Sequence, residues 1–159
     1  DLFALLQKKY PDLTLALAGK KDSNYARHET YVNEHGIKNV VFTGFISDEQ
    51  LRWMYENTAV YCFPSLSEGF GLPGLEAMLH GAPVASSTAT CLPETHGDAA
   101  HYFDPFSVED IAKSIDDILS DDKLRNELVK KGRKHVKTFS WRRMAEQTLA
   151  VYEKYGRKS

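Results

Sequence analysis

Two carboxylates, Glu68 and Glu76, flank a turn reading Gly69-Phe70-Gly71-Leu72-Pro73-Gly74-Leu75, with seven residues between them. A carboxylate cannot usefully bind phosphate, but it accepts hydrogen bonds from the paired hydroxyls of a sugar. The turn between them suits the opposite partner. Its glycines let backbone approach a ligand closely, and the unpaired N–H groups of a helix start present partial positive charge to an anion. A ligand with phosphate in its middle and hydroxyls at both ends fits the whole segment, and that describes a sugar nucleotide.

Chemistry of this kind needs a strand to deliver the turn and a helix to receive it. The run Ala59-Val60-Tyr61-Cys62-Phe63 reads as a buried strand, Pro73 suits a first helical turn, and Gly81 stops the helix that follows. The same alternation extends along the chain. Leu2, Phe3, Leu5 and Leu6 form the apolar face of a helix end, and Leu13 to Ala18 reads as a parallel strand covered on both faces. A helix from about Asn24 to His35 precedes strand Val40–Thr43. Ser47 and Gln50 make a capping-box pattern for a helix from Asp48 to Asn57. Pro83–Ser86 is a further strand, Ser87 to Thr95 a loop with a short turn begun by Pro93, and Ala99–Phe103 a last strand. Ser107 caps a helix over Val108–Leu119, and two more span about Asp121–Thr138 and Trp141–Tyr155. Strands alternating with helices predict a doubly wound parallel sheet, with ligands outside the carboxyl ends of its strands.

Beyond the two glutamates, the chain resembles the nucleotide-sugar glycosyltransferases of group 1, retaining enzymes with two Rossmann domains and an E-x7-E signature. The likeness is carried by Ser67 to Met78, by Gly81-Ala82-Pro83-Val84-Ala85-Ser86, by Leu92-Pro93-Glu94, by Gly97-Asp98-Ala99-Ala100 and by Phe103-Asp104-Pro105. It implies the α/β class: a Rossmann-like doubly wound parallel sheet, the C-terminal half of a GT-B fold. Residues 1–159 are then a single donor-binding domain from a longer two-domain enzyme, the chain opening on Asp1. The family's first, central strand is missing, which leaves a gap between Leu13–Ala18 and Ala59–Phe63 through which the isolated chain would associate.

The resemblance also assigns roles. Glu68 is the catalytic residue beside the donor sugar. Gly69, Phe70, Gly71 and Leu72 offer backbone N–H groups to sugar and phosphates, Glu76 takes the ribose hydroxyls, and Phe45 and Ile46 lie where the base binds. Plainer readings stand beside these: Glu76 as a helix-dipole partner, Phe70 as a core plug, and Thr43–Ile46 as a purely structural loop. No metal and no other cofactor is implied, the nucleoside-diphosphate sugar being a substrate. The acceptor would bind through the missing N-terminal domain, and any membrane association would come from there too. Where the family commonly has a glycine pair, this chain reads Thr88-Ala89-Thr90-Cys91, a departure shared with mannosyl- and bacterial polysaccharide transferases. A nucleotide-sugar epimerase of the same architecture and a non-catalytic nucleotide-binding module are the alternatives. Gly19-Lys20-Lys21-Asp22 lacks the glycine fingerprint of a dinucleotide dehydrogenase.

The remaining residues carry plainer expectations. Lys20, Lys21, Ser65 and Ser67 read as solvated, the six histidines as scattered and satisfied or exposed, and Glu94 as a helix-start residue bracing the rim. Trp53, Met54, Tyr55, Trp141 and Tyr152 read as core or interface. With a net charge of −2, nothing suggests a nucleic-acid surface. Cys62 and Cys91 have neither metal spacing nor a disulfide framework, and no apolar run reaches membrane-spanning length. Together these predict a cytoplasmic protein with reduced thiols.

Overall fold

A computed structural model of the protein describes residues 2–156. The elements run α1 (Leu2–Lys9), β1 (Leu15–Ala18), α2 (Ser23–Glu34), β2 (Val40–Gly44), α3 (Asp48–Asn57), β3 (Tyr61–Phe63), α4 (Leu72–Leu79), β4 (Val84–Ser87), α5 (Leu92–His96), β5 (Ala100–Phe103), α6 (Val108–Ser120), α7 (Asp122–His135) and α8 (Trp141–Tyr155). Short 3-10 turns, Gly97–Ala99 and Val136–Thr138, follow α5 and α7.

Every ladder is parallel, yet the strands form two sheets. One has the order β1-β2, the other β3-β4-β5. No ladder joins β1 to β3, which is the division that a doubly wound sheet shows without its central strand. Helices hold the two sheets together instead. Leu6 of α1 and nearby Leu13 pack with Ala85, Phe103, Ile111, Ile115 and Ile118, while Tyr55 of α3 packs with Leu75, Met78 and Val84. These two clusters lie on opposite faces of β4, whose four residues are all buried.

Local sequence explains the helix boundaries. The Ser47 side chain accepts from Gln50 N–H while Gln50 Oε1 accepts from Ser47 N–H, so both halves of the capping box form. Ser107 and Asp121 cap α6 and α7 through their side chains. In α6, Ile111, Ser114, Ile115 and Ile118 are buried at positions i, i+3, i+4 and i+7, one helical face against the sheet. Helix α4 ends where Gly81, at φ +85°, donates to Met78 O while Ala82 donates to Ala77 O, a Schellman pattern.

Several expectations need correction. Strand β1 is not covered on both faces: Ala16, Leu17 and Ala18 are exposed, because β1 pairs only with β2. The stretch expected as a loop from Ser87 to Thr95 holds the last residue of β4 and most of α5. Helix α7 ends at His135 and tightens into a 3-10 turn rather than continuing to Thr138. Of the large residues expected inside, Tyr55 is buried, whereas Trp53, Trp141 and Tyr152 are more than 60% exposed. No described helix is long and apolar enough to cross a membrane.

Candidate functional site

The carboxyl ends of β3 and β4 lie side by side, and the turn leaving β3 crosses the end of β4. The hydrogen bonds that hold its backbone come from residues more than twenty positions away. Glu68 N–H donates to Thr90 Oγ1 at 3.1 Å, and the Thr90 hydroxyl donates back to Glu68 O at 3.3 Å. Cys91 Sγ–H donates to the same carbonyl at 3.2 Å. Upstream, the Ser87 hydroxyl donates to Ser65 O at 2.6 Å, and the Ser65 hydroxyl donates to Glu68 Oε1 at 2.8 Å. The backbone of Glu68 is thus gripped independently of its half-buried side chain. Thr90 reaches it from a left-handed backbone, φ +49°, a conformation a β-branched residue rarely takes.

Past Glu68 the turn opens. The backbone N–H groups of Gly69, Phe70, Gly71 and Leu72 have no hydrogen-bond partner among the described residues. They lead into α4, where Gly71 occupies the N-cap position at φ +90° and Pro73 sits in the first turn. Two glycines here have different causes. A Cβ on Gly71 would meet Leu92 Cδ2 at 2.5 Å in an already left-handed backbone, so protein packing demands the glycine. A Cβ on Gly69 would meet nothing within 4 Å, and its φ lies outside the left-handed range. Neither packing nor backbone geometry requires a glycine at position 69.

The other expected residues lie on different elements. Glu76 is on the exposed face of α4, one turn beyond the helix start. Burial first, and then the Glu76 carboxylate, raises the Tyr55 phenol above its ordinary pKa. Tyr61, packed edge-on to Tyr55 at 5.3 Å, is raised in the same way, chiefly by burial. Phe45 and Ile46 leave the end of β2 and line an open cleft with Thr43, Gln50, Trp53 and Met54. The Phe45 ring is 77% exposed. Phe70 is no core plug: its ring is half exposed and packs edge-on against Phe139 at 5.7 Å. Lys21 lies over the Tyr25 ring, and Glu94 is exposed in the first turn of α5.

Sequence reading missed the residues that hold the turn. Ser65 is not merely solvated, and Thr90 and Cys91, noted only as a departure, are the clamp on Glu68. His96, passed over as one of six scattered histidines, is fully buried beneath the turn. The available signal was Gly74, a glycine inside a helix where nothing local asks for one. Among the described residues no cluster of three or more His, Cys, Asp or Glu has the geometry to hold a metal.

Parallel strands with helices on both faces, and a turn of unpaired N–H groups where β3 gives way to α4, make this a Rossmann-like α/β domain. The chain belongs to the group 1 glycosyl transferases, whose family model matches residues 1–135. It is 37% identical over 148 residues to an MMP alpha-(1->4)-mannosyltransferase of Mycolicibacterium hassiacum, covering 90% of this chain and 36% of that protein. It is 40% identical over 112 residues to the O-antigen chain mannosyltransferase B of Escherichia coli, covering 70% and 29%. Among solved structures, the C-terminal domain of a group 1 family glycosyl transferase, LpcC, from Francisella tularensis superposes with a TM-score of 0.74 at 31% identity, covering 86% of this chain and 74% of that one. The chain spans about a third of the length of these two mannosyltransferases.

Proposed function

We propose that this chain is the donor-binding half of a retaining glycosyltransferase that moves a hexose, mannose above all, from a nucleoside diphosphate to an acceptor hydroxyl in polysaccharide or glycoconjugate synthesis. The observation that carries the reading is the open turn from Gly69 to Leu72: four unpaired N–H groups at the start of α4, beside a glycine whose missing side chain the protein itself does not require. The names of the mannosyltransferase relatives support the hexose.

In this reading the anomeric C–O bond breaks, leaving positive charge on the sugar and negative charge on the departing phosphate. The N–H groups of Gly69 to Leu72 stabilise that phosphate as its charge grows, without a metal ion. Glu68, its backbone clamped by Thr90 and Cys91, holds the sugar hydroxyls and lies near the cationic face. Glu76 takes the ribose hydroxyls, and the Phe45–Ile46 cleft takes the base. A further domain of the full-length enzyme binds the acceptor and closes over the donor, so that transfer outruns hydrolysis. We place the reaction in the cytoplasm, and the unpaired edges of β1 and β3 are where the isolated chain would self-associate.

The test is a screen of UDP-, GDP- and ADP-sugars against the full-length protein for saturable binding and acceptor-dependent transfer. No binding by any of them overturns the proposal. Calorimetry separates the acids: Glu76→Ala should weaken nucleoside-diphosphate binding about tenfold to a hundredfold, the scale of losing hydrogen bonds to a charged group. Unchanged affinity would remove Glu76 from the site.

A further inference from the structure

His96 lies wholly inside the protein, under the turn, and both of its ring nitrogens are engaged. Nε2 is 3.1 Å from Gly71 O, and Nδ1 is 3.1 Å from Ser86 Oγ. The Gly71 carbonyl can only accept, so the proton belongs on Nε2, and a neutral ring then accepts from the Ser86 hydroxyl through Nδ1. The ring fits because α4 makes room for it: a Cβ on Gly74 would land on Nε2 and Cε1. Gly71, which carries the recipient carbonyl, is the residue whose φ of +90° turns the chain into α4.

We propose that His96, as the neutral imidazole protonated on Nε2, is a positioning residue: by holding the Gly71 carbonyl inside the protein it fixes the outward presentation of the Gly69–Leu72 N–H groups. This rests on the reading of that turn as the phosphate-facing part of the site. A peptide plane has two ends, and anchoring its carbonyl inward limits how the neighbouring N–H groups can rotate. The anchor continues beyond the ring. Ser86 and Ser87 are both fully buried at the end of β4, and Ser87 holds Ser65, which in turn holds the Glu68 carboxylate. The Glu68 side chain is therefore tied to the end of β4 through Ser65 and Ser87, and the Gly71 carbonyl through His96 and Ser86.

The surroundings favour the neutral ring. Phe63 from β3, Gly71 and Gly74 from α4 and Ser86 from β4 bring no charge to it. Among the described residues the titratable group that acts on it is His135 of α7, itself bonded to Thr95 O at 2.8 Å. Burial lowers the pKa of His96 below its ordinary 6.5, and His135 pushes the same way against the Gly71 hydrogen bond. The sign for stability follows: the unfolded chain binds a proton that the folded ring resists, so stability is full above about 6.5 and falls as pH drops below it. Protonation can be absorbed, at a cost, if the Ser86 hydroxyl turns to Ser87 O, 3.3 Å away, and accepts from Nδ1–H.

The experiment compares the full-length enzyme with its His96→Leu and His96→Gln variants. Glutamine offers an N–H to the Gly71 carbonyl and an oxygen to the Ser86 hydroxyl, as the neutral ring's two nitrogens do, and does not titrate. His96→Leu should lower kcat/KM for the donor about tenfold to a hundredfold, less than the loss of an oxyanion donor outright. His96→Gln should recover most of that loss, and its melting temperature should fall less than wild type's between pH 7 and pH 5. Wild-type turnover in His96→Leu, or a loss that a folded His96→Gln does not recover, overturns the positioning role; parallel melting profiles overturn the neutral ring. Should a variant fail to fold, nitrogen NMR of the wild-type imidazole decides: a neutral Nε2–H ring at pH 6 supports the assignment, and an Nδ1–H or doubly protonated ring overturns it. If wild type binds no nucleoside diphosphate at all, the proposed function falls while the ring measurement still stands on its own.

Discussion

Glu68→Ala in the full-length enzyme is expected to lower kcat by about 10²–10⁴-fold, the range typical of a charged group acting at the reacting centre. Its melting temperature should stay close to wild type's. The structure separates the two effects because Thr90 and Cys91 hold the Glu68 backbone, while among the described residues the side chain is bonded by Ser65 alone. Removing the carboxylate therefore leaves the turn in place. Glu68→Gln refines the result, since its amide oxygen can still accept from Ser65 but carries no charge. If Gln restores turnover, the residue works by orientation; if it is as slow as Ala, charge near the cationic sugar is what matters. Transfer assays with the donor that binds best check this, and near-normal rates in Glu68→Ala would remove the residue from its assigned role.

The second large effect separates two glycines that look alike in sequence. Gly71→Ala must place a side chain in a left-handed backbone and drive its Cβ into Leu92. Left-handed strain of about 1–2 kcal/mol and an overpacking cost of about 1–3 kcal/mol predict a loss of a few kcal/mol. For a domain of this size that lowers the melting temperature by on the order of 5–15 °C. Gly69→Ala meets open space and should melt like wild type. It should nonetheless weaken nucleoside-diphosphate binding severalfold or more, because the added methyl occupies the ligand's approach. Thermal melting and calorimetry on the same two proteins decide the matter. A Gly69→Ala protein that binds as tightly as wild type would leave that glycine without a reason and weaken the placement of the phosphates.

What the sequence made legible was local. The capping box of Ser47 and Gln50, the Ser107 cap, the Gly81 stop and the bounds of α8 all depend on residues within a turn of one another, and each is found as read. The glycine turn between β3 and α4 was legible because Pro73 and Gly81 mark the two ends of its helix. The clamp was not. Thr90 and Cys91 reach Glu68 across more than twenty residues, and a threonine in a left-handed backbone breaks the rule a reader would apply to it. His96 was invisible for the same reason, since its partners Gly71 and Ser86 belong to other elements and only Gly74 hinted that something bulky lay against α4. The run Leu13–Ala18 misled because an apolar strand reads as covered whether or not its neighbour is present.

The two cysteines of the chain differ in a way that offers a chemical handle. Burial pushes the Cys62 thiol up to about 12, so at neutral pH it holds its proton and is a poor nucleophile. Cys91 lies in the clamp itself, its Sγ against the Glu68 carbonyl. A small alkylating reagent should therefore mark Cys91 first, and the adduct would pry the clamp open from behind. Peptide mass mapping would find the label there, transfer should fade in step with it, and a bound nucleoside diphosphate should slow both.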